Sequence, residues 1–188
     1  MTTTMDGFPP STASCAALRS RDDRETAMSD AHLDHVTAFS CYVFTSDGRL
    51  LLTMRGHAKK AWPGVWANSC YGHPAPGESL PDAVSRTLRD ELGLSARAEL
   101  ILPASRHGMR TEGELCPVFR VVTDESPAPD PVEVGDFEWV RWVEFVYAVA
   151  TGDVTVSPWC RPQVAELSAL GEDPTRWPVT DIEFPAVV

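Results

Sequence analysis

Lys59-Lys60-Ala61-Trp62-Pro63-Gly64-Val65-Trp66-Ala67-Asn68-Ser69-Cys70-Tyr71-Gly72-His73-Pro74 gathers cations, indoles, a thiol, a phenol and an imidazole in one run. Few purely structural segments need that mixture. The run leads through Gly77-Glu78 into a helical pattern from Ser79 to Leu92. Ser79 is placed to cap this helix, with Asp82 three residues on to close a capping box. Pro81 falls in the first turn, where its missing N–H has no partner to lose. Leu80, Val84, Leu88 and Leu92 recur every four residues and predict the buried stripe, leaving Arg86, Arg89 and Asp90 toward the other side. Gly93 supplies the stop.

Upstream, Ala38 to Phe44 and Leu50 to Met54 read as two strands, and Asp47-Gly48 between them provides the positive φ of a hairpin turn. Downstream, the pattern predicts a strand from Glu99 to about Pro103, a loop around Arg106 to Gly113 and a strand from Leu115 to Thr123. A Pro127–Pro131 loop, a strand from Phe137 to Val143, a helical turn or two over Glu144–Ala150 and a last helix from Pro158 to Leu170 follow. Strands interleaved with helices in this order predict an α+β fold, a mixed sheet sandwiched between helices. Residues 1–28 carry Thr, Ser, Pro and charge without apolar period and read as a mobile arm, leaving 29–188 as one domain.

The chain has 188 residues, 43% of them hydrophobic, enough for one real core. It has no apolar run long enough for a membrane span, and the charged opening segment lacks the apolar centre of a signal peptide, so a cytoplasmic protein without membrane insertion is expected. Five cysteines, at 15, 41, 70, 116 and 160, show neither zinc-site spacing nor a disulfide framework. A net charge of -11 and the absence of a basic run exclude nucleic acid as a partner. A small anion remains admissible, because local cations and a bridging metal govern its binding.

Over roughly residues 36 to 165 the chain resembles type I isopentenyl diphosphate isomerase, a branch of the Nudix fold. Four islands in the family's order carry the resemblance: Thr53-Met54-Arg55 with Lys59 to Trp66; Asn68 to Pro74; Glu112-Gly113-Glu114-Leu115-Cys116-Pro117-Val118-Phe119; and Ser157-Pro158-Trp159. Gly72, Glu78, Arg86, Asp90, Glu91 and Gly93 also keep the spacing of the general Nudix signature, although Thr87 stands where that motif has glutamate. Read without the resemblance, the same helix could be an ordinary solvated acidic face.

The resemblance implies a Nudix fold, a prenyl diphosphate substrate and Mg2+, with a second divalent ion, Mn2+ or Zn2+, left open. It makes Arg55 and Lys59, with Arg86 beside Thr87, the diphosphate grip, which otherwise would be solvated surface cations. Glu91 becomes the residue that helps hold magnesium, and His73, Glu112 and Glu114 three ligands of the family's metal. Glu114 is also the acid that protonates the alkene, and Trp159 the indole facing the carbocation. Trp62 and Trp66 are assigned to packing.

Three departures matter. The family's two upstream histidine ligands fall on Ser29 and Val36; His35 is one residue off and either reaches the metal through a loop insertion or leaves the site with weaker ligands. The family's proton-exchanging cysteine falls on Tyr71. If strand register holds, Cys70 faces away into the core; a local bulge would instead bring it in. A phenol with a pKa of ~10 is a feeble base at neutral pH. A tyrosine assisting the proton donor is missing, and His107 is either its replacement or an ordinary loop histidine. Glu114, Tyr71, His107 and Trp159 are therefore the expected catalytic set. Because the altered groups decide where the proton leaves, the expectation is an isomerase-like enzyme with a changed outcome, such as proton-initiated cyclisation of a longer prenyl chain. The alternatives are a conventional isopentenyl/dimethylallyl diphosphate isomerase and, further off, a Nudix hydrolase or a non-catalytic prenyl diphosphate-binding module. Oligomeric state is not legible.

Overall fold

The computed structural model describes residues 38–107, 112–182 and 184, and for 104, 106, 107 and 112–115 the backbone only. His35 and the proposed arm lie outside the described residues. Among the described residues, seven strands form one mixed sheet: β1 (Phe39–Phe44), β2 (Arg49–Arg55), β3 (Trp66–Ala67), β4 (Cys70–Gly72), β5 (Ala98–His107), β6 (Glu112–Val122) and β7 (Val134–Arg141). β1 runs parallel to β6 and antiparallel to β2 and β4, while β2 pairs antiparallel with β3 and β7, and β5 with β6. The helices α1 (Leu80–Leu92), α2 (Trp142–Thr151) and α3 (Cys160–Ser168) cover the sheet.

Alternation along β1 sorts the core into two layers. Phe39, Cys41 and Val43 join Leu80, Val84, Leu88 and Leu92 of α1. Tyr42 and Phe44 join Trp142, Phe145, Trp159 and Val164 on the face covered by α2 and α3. The expected sandwich is thus present, with the leucine stripe of α1 buried as the four-residue period requires.

The ends of α1 follow local chemistry. Ser79 accepts from the Asp82 amide at 3.3 Å, and its hydroxyl donates to the Asp82 carboxylate at 2.6 Å, so the acid meets the cap's hydroxyl. Gly93, at φ 68°, sends its amide to the Arg89 carbonyl, and Leu94 reaches the Leu88 carbonyl, capping the last turn.

Several boundaries differ from the sequence expectation. β5 continues to His107 and β6 begins at Glu112, so both ends of the expected loop lie in strands; bulges along β5 disturb the alternation that would have shown it. β7 starts at Val134 and stops at Arg141, because Trp142, Phe145 and Val149 recur at helical spacing and are buried together. Trp62 is 47% exposed at φ 54°, so it is not a packing residue, whereas Trp66 packs on the α2–α3 layer.

The element that positions the site is a fork in the sheet. β1 and β2 are paired at Phe44 and Leu50, but toward the other end β1 is met by β4 and β2 by β3. Backbone groups along such an opening need partners. Ser69 supplies two: its hydroxyl accepts from the Val43 amide at 2.8 Å and donates to the Leu51 carbonyl at 2.7 Å. Asn68 donates to the Cys41 and Cys70 carbonyls, and the Thr53 hydroxyl donates to the Asn68 and Ser69 carbonyls. The 68–69 turn is thereby plugged into the fork, and β4 is held with its register fixed.

Candidate active site

Fixed register decides the side of each residue in β4. Tyr71 pairs with Ser40, and Cys70 with Cys41. Cys70 therefore lies in the α1 layer, hydrogen-bonded to Cys41; that bond and burial push its thiol well up, away from thiolate. Tyr71 lies on the opposite face, its ring 5.6 Å from the Trp159 ring and 5.5 Å from the His73 ring. No bulge brings Cys70 around.

Trp159 is delivered by the start of α3. The Ser157 amide bonds the Trp66 carbonyl at 2.8 Å and Val156 bridges Trp66, tying the 156–159 segment to the fork. The indole is 1% exposed, and its Nε1 donates to Asn68 Oδ1 at 2.9 Å. The residue that plugs the fork thus also orients the indole.

Arg55 closes β2. The Val65 carbonyl accepts from its amide and its own carbonyl accepts from Gly64, closing the 56–63 turn upon it, while its Nε donates to the Ala61 carbonyl at 3.0 Å. Its guanidinium carbon lies 5.6 Å from the Trp159 ring centroid, within cation–π range. Burial lowers its pKa, and Glu91 and Tyr71 pull it back up.

Lys59, in the turn after β2, forms an ion pair with Glu133, and both side chains are less than one-third exposed. Glu91, in the last turn of α1, is partly buried; desolvation raises its pKa while Lys59, Arg55 and Arg86 pull it down. Arg55, Lys59, Tyr71, Glu91, Glu133 and Trp159 line one small pocket. Five of these were expected from sequence; Glu133 was not.

Arg86 grips Glu78 with two bonds, at 2.9 and 2.8 Å, and donates to the His73 carbonyl at 3.1 Å. Glu78 in turn accepts from the Ala75 amide at 2.8 Å. The glutamate and arginine of the signature therefore staple the 73–78 turn to α1. Arg86 holds Glu78's carboxyl down to about 2. Gly72 sits where a Cβ would meet the Phe39 ring at 2.6 Å and Thr87 Oγ1 at 2.9 Å, so glycine above a short buried threonine lets β4 lie on α1.

His107 and Glu112 face each other in the β5–β6 register, and Glu114 occupies the next alternate position of β6, before Cys116. His73 is exposed at the end of β4, in ring contact with Tyr71. Among the described residues, no three His, Cys, Asp or Glu side chains come together as a metal cluster.

Residues 34–160 match the family model of the NUDIX domain. The isopentenyl-diphosphate Delta-isomerase of Saccharopolyspora erythraea is 50% identical over 160 residues, covering 80% of this chain and 81% of that protein. The enzyme of the same name from Rhizobium rhizogenes is 46% identical over 151 residues, 77% of this chain and 72% of its own. Among solved structures, DR0079 from Deinococcus radiodurans superposes with a TM-score of 0.61 at 19% identity, over 71% of this chain and 83% of that one. The MutT protein from Methanosarcina mazei Go1 gives 0.57 at 14% identity, over 71% and 93%. These structural likenesses speak to the fold alone.

Proposed function

The chain belongs to the Nudix superfamily and, within it, to the isopentenyl-diphosphate Delta-isomerase family, and on that premise we propose that it isomerises isopentenyl and dimethylallyl diphosphates. One observation supports this reading above the others: Arg55 touches both halves of the site, lying over the Trp159 indole while sharing a pocket with Lys59 and Glu91. A diphosphate held by guanidinium and ammonium at one end would leave its short hydrocarbon tail beside the indole and the Tyr71 ring.

In this proposal Glu114 transfers a proton to the terminal alkene carbon, forming a tertiary carbocation. Trp159 stabilises that cation through its π face, and loss of a proton from the neighbouring carbon completes the shift of the double bond. Tyr71 occupies the place of the group that exchanges this second proton, with His107 as a further proton carrier. The catalytic residues proposed are thus Glu114, Tyr71, His107 and Trp159, with Arg55 and Lys59 as the grip. Arg86 contributes by fixing the turn that bears His73.

A divalent cation fits Glu91. Desolvation raises the pKa of its carboxylate, and a hard cation would offset that desolvation with oxygen ligation. We place Mg2+ there, where it would neutralise diphosphate charge, and assign His73, Glu112, Glu114 and His35 to a second ion, Mn2+ or Zn2+.

Tyr71 favours a second reading. With the thiol turned away and two aromatic rings flanking the tail, a protonated longer prenyl chain could capture its own cation and cyclise. Incubation with Mg2+ and prenyl diphosphates of C5 to C20 in deuterated water, followed by mass spectrometry, separates the readings. Deuterated dimethylallyl product supports isomerisation, and a deuterated cyclic product from a longer chain supports cyclisation. Phosphate release from nucleoside diphosphate derivatives alone, or binding without turnover, would overturn both.

A further inference from the structure

We propose that Glu133 is a positioning residue of the diphosphate grip, acting through Lys59; the inference rests on the prenyl diphosphate reading and deepens it. Lys59 has a flexible four-carbon stem and, in a turn, nothing in its own sequence neighbourhood to direct it. Glu133 supplies that direction from the residue just before the neighbouring β7, pairing with the Lys59 ammonium within the pocket that also holds Arg55 and Glu91.

Glu133 is itself anchored through its backbone. Its backbone carbonyl accepts from the Gly56 amide at 2.8 Å, three residues before Lys59, and its amide donates to the Asp130 carbonyl at 3.0 Å. The Asp130 amide donates in turn to the Glu91 carbonyl at 3.0 Å, and the Ala128 amide to that of Leu92 at 2.8 Å. The 128–134 segment thus links the C-terminal end of α1 to the start of β7. One short segment sets the spacing between Glu91, at the expected magnesium position, and Lys59, at the expected phosphate position.

An ammonium carries three donors, so Lys59 can keep Glu133 as one partner and offer the others to a phosphate oxygen. Holding the side chain before substrate arrives removes part of the entropy lost on binding. The carboxylate also repels a diphosphate; the proposal is that orientation outweighs that repulsion.

Binding of inorganic pyrophosphate with Mg2+, measured by calorimetry, tests this without requiring turnover. Glu133→Gln should weaken binding about fivefold, the scale of a partly buried ion pair. The loss should vanish in a Lys59→Met background, because Glu133 acts through Lys59. In turnover assays, KM should rise by a similar factor with kcat little changed. Tighter binding in Glu133→Gln, or an equal loss in both backgrounds, overturns the proposal. Should Glu133→Gln fail to fold, Glu133→Asp serves: it keeps the charge but draws it back, and unchanged affinity would overturn the proposal. No pyrophosphate binding by the wild-type protein would remove the diphosphate reading and this inference with it; wild-type binding unaffected by either substitution removes the inference alone.

Discussion

The Trp159 indole is fixed on its edge by Asn68, at 2.9 Å, while Arg55 lies over its ring at 5.6 Å. Edge and face thus have different duties: the N–H joins the indole to the residue that plugs the fork, and the π face stays available to cations. Trp159→Phe separates them. It leaves Asn68 Oδ1 buried without that donor, which should cost about 1–3 kcal/mol in denaturant unfolding. The remaining phenyl is a weaker cation partner, so turnover should fall about tenfold. Unchanged stability would show that the Asn68 bond is dispensable.

Register places the Tyr71 ring, not the Cys70 thiol, beside Trp159. Tyr71→Cys should therefore raise five-carbon isomerisation by about 10²-fold, the usual scale of a well-matched proton-transfer group. Cys70→Ser should leave turnover within about twofold and lower stability by about 1 kcal/mol, because that thiol packs with Cys41 beneath α1. Loss of turnover in Cys70→Ser would refute the assignment of faces. Both are read by dimethylallyl diphosphate formation and urea midpoints.

What sequence could show, and what it could not, divides by range. The leucine period of α1 and the Asp47-Gly48 turn are local, and both appear as read, with Gly48 at φ 80°. The spacing of Gly72, Glu78 and Arg86 was legible, but its physical meaning, a staple across the 73–78 turn, needed the bond lengths. β5 was read short because its bulges and Pro103 break a period-2 pattern. Trp62 was misjudged because apolarity alone does not reveal a turn residue at positive φ. Glu133 was invisible: it meets Lys59 only because β7 pairs with β2 past a bulge at Met54/Arg55, a pairing no local pattern announces. Ser69 is similar, a common residue whose two bonds across the fork are purely tertiary.

The Glu78–Arg86 staple makes an acid-side prediction. Glu78 is held down to about 2 in the folded chain, from an ordinary value of 4.5. A carboxyl lowered by folding stabilises the fold above its unfolded value, and that contribution is lost as pH falls through the folded value. Wild-type stability should therefore decline from about pH 4.5 downward, and Arg86→Met should make the decline shallower. Asp47, Asp124 and Asp173 are also lowered by their own bonds, so part of the slope will remain. Urea midpoints between pH 5 and pH 2.5 decide; identical slopes would mean the pair does not persist in solution.

Gly56 ties the grip to the fold. A Cβ there would stand 2.1 Å from the Val132 carbonyl oxygen and 3.1 Å from that of Glu133, the acceptor of the Gly56 amide. Both are backbone atoms, so Gly56→Ala must push β2 and the 132–133 segment apart. Overpacking of this kind costs about 1–3 kcal/mol, and here it should also draw Glu133 away from Lys59 and weaken pyrophosphate binding. Gly152→Ala provides the contrast. That glycine, at φ 82°, ends α2 with nothing within 4 Å of a built Cβ, so strain alone should cost about 1 kcal/mol without touching affinity. Denaturant unfolding and pyrophosphate calorimetry on the two variants, side by side, separate loss of stability from loss of grip. Equal affinities in both would mean that the Gly56–Glu133 contact does not govern the position of Lys59.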